Sequence, residues 1–411
     1  MNKKIVLVTP GQPSSNPRLM KEAISLSDSG YKVTVVYNYW SDWADEQDQE
    51  LIQIYPNITF IKVGGDPRHD KWMYAFTRIR HKIFRLLNQV FSSILYFASR
   101  AECRAYEELK TACLEIKADL YIAHHVGLLP VAYLAAQQHK AKWGFDAEDF
   151  HRGLNEFDLA SVQRSILLEN TFIERCDYLS ASSPLIAAAY EQLYGKEVQV
   201  INNVFSKKYQ QSHASQTVSL PIGLFWFSQT IGKGRGIEDI LQAMAGFENG
   251  SFKLTLLGQH DKKIKAYFED YLSQYGGNKA DLIFKDPVSL NKIFQISAEH
   301  DVGLALEITA KTNNQLCLAN KIFTYLLAGN AIIFSNTNAH QLFWKQHKEI
   351  GYLYTSGNIS ELKQILADIM ENPMQLIASK KSSLDLAMIK YNWEMESALF
   401  LEKIRTVLQI A

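Results

Sequence analysis

Four cysteines in 411 residues are too few, and too scattered, for a disulfide framework. Cys103, Cys113, Cys176 and Cys317 show no C-x-x-C spacing, so they read as reduced thiols of a cytosolic protein and not as a zinc site. Long apolar runs are lacking as well. No stretch of 18 apolar residues exists to span a membrane, and Ile5-Val-Leu-Val8 is too short for a signal peptide. An excess of one charge is also missing. Lys plus Arg and Asp plus Glu number 43 each, and the zero net charge argues against nucleic acid as a partner. Neither G-x-G-x-x-G nor a P-loop ending in G-K-[ST] occurs, so dinucleotide binding and ATP hydrolysis have no support. His124-His125 lacks a third ligand at metal-site spacing, and no metal or cofactor is expected.

What is present is a soluble globular composition, 47% apolar and 21% charged, in a chain long enough for two domains. Short apolar runs alternate with helical patterns. Ile5–Val8, Lys32–Tyr37, Ile58–Val63, Leu120–Ala123, Lys142–Phe145, Tyr178–Ala181 and Val198–Ile201 read as one series of strands. Ile222–Phe227, Lys253–Leu257, Asp281–Phe284, Asp301–Leu306 and Ala331–Phe334 read as a second. Several are apolar on both faces, as strands covered by helices are. The fold class is therefore α/β: two doubly wound Rossmann-like domains, 1–203 and 220–390, facing across a cleft. The polar stretch 204–219 reads as their linker, and 391–411 as a helix returning to the first domain.

Ligands of open parallel sheets sit beyond the carboxyl ends of the strands, so the chemistry is sought just after each run. After the first strand, Gly11 permits close backbone approach, and Asn16 and Arg18 stand at a helix entrance. After the fifth come Asp146, Glu148, Asp149 and His151, too many charges to be buried unpaired. They could supply a base or orient a hydroxyl; a helix start decorated with acids is the plainer alternative. His124 also follows a strand. In the second half, Trp226-Phe-Ser-Gln-Thr-Ile-Gly-Lys-Gly-Arg-Gly-Ile237 reads as strand, tight turn and helix start, with Lys233 and Arg235 able to hold phosphate oxygens. Gly258 and the Asp286-Pro287-Val288 loop close the next two strands, and Glu307 closes another. Asn320-Lys-Ile-Phe-Thr-Tyr-Leu-Leu-Ala-Gly-Asn330 reads as a short helix capped by Asn320 and ended by Gly329, with Lys321 and the helix N-terminus forming a second anion site.

Taken in order, these motifs resemble the GT-B-fold glycosyltransferases, particularly a divergent branch of the large retaining family that uses nucleotide sugars. Ser182-Ser-Pro184 with Ile201-Asn-Asn-Val204 adds to the resemblance, which covers nearly the whole chain. It implies a UDP- or GDP-linked sugar donor held by the C-terminal domain, and a glycan or lipid-linked acceptor on the N-terminal one. The implied donor contacts are Gly11, Ser228, Gln229, Lys233, Arg235, Gly258, Pro287, Val288, Glu307, Asn320, Lys321 and Thr324. Implied acceptor contacts are Asn16, Arg18, His124, Glu148 and Asp149, with Asp146, His151, Arg235 and Glu307 as catalytic candidates. Transfer would be retaining and metal-independent, in keeping with the absence of an Asp-x-Asp motif. The resemblance also implies surface polysaccharide synthesis as the setting. In one respect the chain departs: where the family carries two glutamates seven residues apart, it has Cys317 and Thr324. A nucleotide-sugar 2-epimerase of the same architecture and a non-catalytic binding subunit are the alternatives.

Residues 68–104 carry eight cations against Asp70 and Glu102, interleaved with aromatics such as Trp72, Phe76 and Phe84. Such a helix can lie on an anionic membrane surface, which would make the protein peripheral at the inner face. Alternatively, its apolar side packs on the sheet and its basic side is solvated.

Overall fold

The computed structural model describes residues 3–211, 218–308 and 311–409. The chain divides into two compact units, one comprising residues up to Asn202 with the chain from Ser397, the other Asn203–Glu396.

The first unit is built on a seven-stranded parallel sheet in the order β3-β2-β1-β4-β5-β6-β7. Its strands are β1 Lys4–Thr9, β2 Lys32–Asn38, β3 Ile58–Val63, β4 Leu120–Ala123, β5 Lys142–Ala147, β6 Tyr178–Ala181 and β7 Gln199–Val200. The central strands are buried on both faces, which is why Ile5 to Val8 and Leu120 to Ala123 are apolar without alternation. The strand order reverses between β1 and β4, so the residues after Thr9 and Ala123 flank a switch point. The helix Pro17–Asp28 enters there, with the Asn16 side chain accepting from Leu19 N at 3.0 Å. The 68–104 stretch forms two helices, Lys71–Val90 and Leu95–Glu102.

The second unit has a six-stranded parallel sheet in the order β10-β9-β8-β11-β12-β13. Its strands are β8 Ile222–Thr230, β9 Phe252–Gln259, β10 Leu282–Lys285, β11 Val302–Ala305, β12 Ala331–Ser335 and β13 Gly351–Tyr354. The reversal here falls between β8 and β11. β13 escaped the sequence reading, because Gly-Tyr-Leu-Tyr is four residues long and has only Gly351 and Tyr354 buried. β8 runs three residues past the expected Phe227, so Ser228 and Gln229 lie in the strand itself. Of the 204–219 stretch, 212–217 falls outside the described residues. The rest is less loose than its composition implied: Val204 and Phe205 are buried, and Tyr209 stacks on Phe294 with centroids 5.1 Å apart.

The helix Asn320–Ala328 is followed by Gly329 in the left-handed region, φ 73°, whose N–H reaches back to the Leu326 and Tyr325 carbonyls. The expected cap at the other end is corrected. Asn320 is the first helical residue and Ala319 occupies the cap position, with no side-chain cap hydrogen bond among the described residues.

Candidate active site

In the second unit, the turn after β8 is shaped by glycine. Gly236 has φ 79°, and a Cβ there would stand 2.4 Å from the Leu306 carbonyl oxygen. Only glycine therefore lets the turn rest on the end of β11 before the helix Ile237–Met244 begins. The Glu238 carboxylate fastens the turn by accepting from Gly234 N at 2.9 Å.

Arg235 is exposed and donates to Ser228 Oγ at 2.9 Å and to the Thr230 carbonyl. Its guanidinium carbon lies 5.6 Å from the Trp226 ring centre. Lys321 Nζ, from the first turn of the helix Asn320–Ala328, lies 4.8 Å from the same ring. Two cations thus converge on the face of one buried indole at the switch point, each attracted by the ring's negative face.

Lys321 also pairs with Glu307, Nζ to Oε1 at 2.8 Å. Behind Glu307 stands His340, fully buried on the helix Asn338–Gln346, with Nε2 3.6 Å from Glu307 Oε2. His340 Nδ1 is 3.0 Å from the Ser335 carbonyl, which can only accept, so this nitrogen carries the proton. Burial lowers the His340 pKa more than Glu307 raises it, and the ring is neutral. For Glu307, burial favours the acid form, but the paired Lys321 ammonium outweighs it and holds the carboxyl below its ordinary value. A carboxylate oxygen and an unprotonated ring nitrogen therefore face one another, and neither has a hydrogen-bond partner among the described residues.

Other expected contacts are distributed around this centre. Lys233 is exposed and turned onto the Tyr267 ring, 3.8 Å from its centre. Gly258 approaches β8 closely, since a Cβ there would meet the Ser228 carbonyl oxygen at 2.4 Å. Gln229 and Pro287 are exposed and Val288 half-buried, at the ends of β8 and β10. Asn320 is exposed at the helix start. Thr324 differs from the expected donor contact: it is buried, and its hydroxyl donates to the Asn320 carbonyl in its own helix at 3.3 Å.

The first unit's candidates gather at its own switch point, but inward. Arg18 is fully buried and grips Asp146 with two bonds of 2.6 Å, with a further bond to the Ile201 carbonyl. Ser180 Oγ donates to Asp146 at 2.5 Å. His124 Nδ1 lies 3.1 Å from Glu148 and 3.3 Å from Asp146, and Nε2 lies 3.4 Å from Glu22. Burial would keep His124 neutral, but the carboxylates of Glu22, Asp146 and Glu148 overcome it and push its pKa up to about 10. Burial, reinforced by Asp146, raises Glu22 to about 8. Asp146 is held well below the carboxylate range: burial opposes this, and Arg18 and His124 prevail.

This geometry corrects two expectations. Arg18 and Asp146 are both enclosed and spent on one another, so neither reaches an acceptor or a reacting atom. Glu148 remains partly accessible, its side chain 27% exposed, held by Asn16 Nδ2 at 2.5 Å and by His124. Asp149 and Gly11 are half-buried beside it in sequence and at the end of β1, respectively. His151 is buried against the rings of Phe145 and His125, with neither ring nitrogen hydrogen-bonded among the described residues. Burial and then His125 put its pKa well below the ordinary value, so it is neutral.

Glu22, His340 and the role of Trp226 went unread in the sequence. Glu22 stands four residues after Arg18 on the same helix, a spacing that signals a pair but not its burial.

No protein-family model and no curated protein matches the chain. Solved structures do. Anabaena HepE in complex with UDP-glucose is 15% identical over 98% of this chain and 99% of its own, with TM-score 0.70. Sucrose-phosphate synthase from Thermosynechococcus elongatus is 15% identical over the whole of both chains, also at 0.70. TarM from S. aureus, in complex with fondaparinux, α-GlcNAc-glycerol and UDP, is 10% identical over 99% of each chain at 0.65. At such identities likeness speaks for architecture alone, and on that ground the chain has the GT-B fold of two Rossmann-like domains.

Proposed function

We propose that the protein is a glycosyltransferase that moves a sugar from a UDP-linked donor to a glycan or lipid-linked acceptor. The observation that carries the reading is the convergence of Arg235 and Lys321 on Trp226, with Glu307 beside them, at the switch point of the second sheet. Likeness to HepE, a structure with UDP-glucose, supports the choice of donor. In this reading the second unit holds the donor and the first the acceptor.

In the reaction, the bond between the sugar's anomeric carbon and the diphosphate oxygen breaks, and its electron pair leaves on the diphosphate. Arg235 and Lys321 are fixed donors for that growing charge and need no reorganisation to meet it. Glu307 accepts from a hydroxyl of the donor. Glu148, the accessible end of the first unit's charge network, accepts from the acceptor. The acceptor oxygen bonds the anomeric carbon and gives its proton to the departing diphosphate oxygen. We read the transfer as retaining and metal-independent, and the enzyme as cytoplasmic, working at the inner face of a membrane in polysaccharide synthesis. The basic, apolar surface of residues 68–104 supports the last point.

The test is a thermal-shift series with UDP, GDP, ADP and their sugar conjugates, with and without magnesium. UDP compounds are expected to raise the melting temperature selectively, and the shift is expected to vanish in Arg235→Ala. A chain that no nucleotide stabilises would sink the proposal. Product analysis without acceptor separates transfer from epimerisation of the donor.

A further inference from the structure

The helix Lys71–Val90 is amphipathic in the wrong sense for a helix that packs on a sheet. Trp72, Phe76, Ile79, Ile83, Leu86 and Val90 recur at alternating spacings of four and three, which places them in one stripe. Each is between 49% and 89% exposed. Uncharged polar residues take the inward face instead. Thr77 and Asn88 are buried, Thr77 Oγ1 donates to the Gly64 carbonyl at 3.2 Å, and His81 Nε2 lies 2.8 Å from the Ala101 carbonyl. An apolar stripe about 30 Å long, turned outward, is far more than the scattered apolar residues of an ordinary surface.

Other elements of the same unit extend it. Arg85 lies 4.0 Å from Asp158, which brings Phe157 and Leu159, 84% and 72% exposed, alongside the helix. At its N-terminal end, Tyr39 packs on Tyr74 and Arg68 pairs with Asp42 at 3.2 Å. Those contacts bring the exposed Trp40 and Trp43 beside the helix.

Charge says what the surface fits. The helix contains no acidic residue. Lys71, Arg78 and Lys82, spaced seven and four apart, are exposed along one edge of the stripe and form no ion pair among the described residues. In a twofold contact between copies these cations would be brought toward their own counterparts across a self-complementary patch. Lipid phosphates suit them instead, while acyl chains suit the stripe.

We propose that this helix lies in the plane of an anionic phospholipid bilayer, with the stripe from Trp72 to Val90 among the acyl chains and Lys71, Arg78 and Lys82 on lipid phosphates. The inference deepens the membrane location proposed above, but vesicle binding is read without any sugar nucleotide, so it fails or stands apart from the transfer reaction. The test is co-sedimentation of the full chain with vesicles of phosphatidylglycerol and phosphatidylcholine at low salt, against phosphatidylcholine alone. Binding is expected for the anionic vesicles only, and raised salt should weaken it. The double variant Ile79→Asp/Ile83→Asp, at exposed positions, should lower the bound fraction tenfold or more with an unchanged melting temperature. Lys71→Gln/Arg78→Gln/Lys82→Gln should lower it as well. No binding to anionic vesicles at low salt, or undiminished binding by the double variant, would overturn the proposal. So would a stripe-dependent dimer without vesicle binding.

Discussion

The two switch points use the same alphabet, arginine, carboxylate and histidine, with opposite results. In the first unit Arg18, Asp146, His124 and Glu22 are all buried and bound to one another. In the second, Arg235 is exposed and Lys321 and Glu307 keep side-chain exposures of 13% and 15%. A charge enclosed with its partner holds a fold in register. A charge held at the edge of solvent by a partly satisfied partner is free to meet a ligand. Residue type therefore does not separate the two; enclosure does, since Glu22 is fully buried although neither of its carboxylate oxygens has a hydrogen-bond partner among the described residues.

The comparison can be broken most forcefully at Arg18. Arg18→Ala leaves Asp146 without its partner, and about 3–5 kcal/mol of stability should be lost. Urea denaturation reads this directly, and a loss under 1 kcal/mol would mean that the network is not structural. Next in size is Arg235→Ala. Turnover should fall by roughly 10² or more, the scale of losing one oxyanion donor, while the melting temperature stays within about 1–2 °C, since exposed substitutions seldom matter to stability. Near-normal turnover would remove Arg235 from the proposed role.

Acidity offers a third handle. His124 has its pKa raised from 6.5 to about 10 and Glu22 from 4.5 to about 8. Both groups hold a proton in the folded state over a range where the unfolded chain has released it. Their contribution is complete below the unfolded pKa and is lost as pH climbs through the folded one. Stability should thus fall between about pH 4.5 and 10, first through Glu22 and then through His124, and His124→Gln should flatten the upper part of that slope. A denaturation midpoint that is level or rising across this range would contradict the assignment. The smallest effect is expected at Lys233, whose ammonium sits on Tyr267 and not on Trp226. Lys233→Ala should cost turnover only a few-fold, well short of Arg235→Ala, in the same assay; an equal loss would put both cations on the leaving group.

Much of the architecture was legible because a parallel strand buried on both faces has little choice of residue. Ile5 to Val8 and Ala331 to Phe334 announce themselves for that reason, and the turn at 231–236 does so through its glycines. β13 did not, since a short outer strand needs only two buried positions. The inward network was illegible for a different reason. Sequence placed Arg18, His124 and Asp146 at strand and helix ends, but their enclosure depends on Ser180 arriving from β6 and on Glu22 turning inward from Arg18's own helix. The helix at 71–90 shows the same limit from the other side. Its periodicity is that of a packed helix, and only the inward Thr77 and Asn88 reveal which face the stripe occupies.

The facing pair of Glu307 Oε2 and His340 Nε2 has a consequence for selectivity. Two acceptors 3.6 Å apart repel unless something supplies a hydrogen, and the protonation state of each is set by neighbours already in place. In the donor site proposed above, a ligand that placed a hydroxyl there would satisfy them by opening a contact now closed to solvent. Its deoxy counterpart, otherwise identical in shape, leaves both unpaired in a largely buried setting, where rejection of roughly 10⁴-fold is within reach of binding alone. Discrimination would then be written into the protein before any ligand arrives, as a mismatch that only the right chemistry relieves.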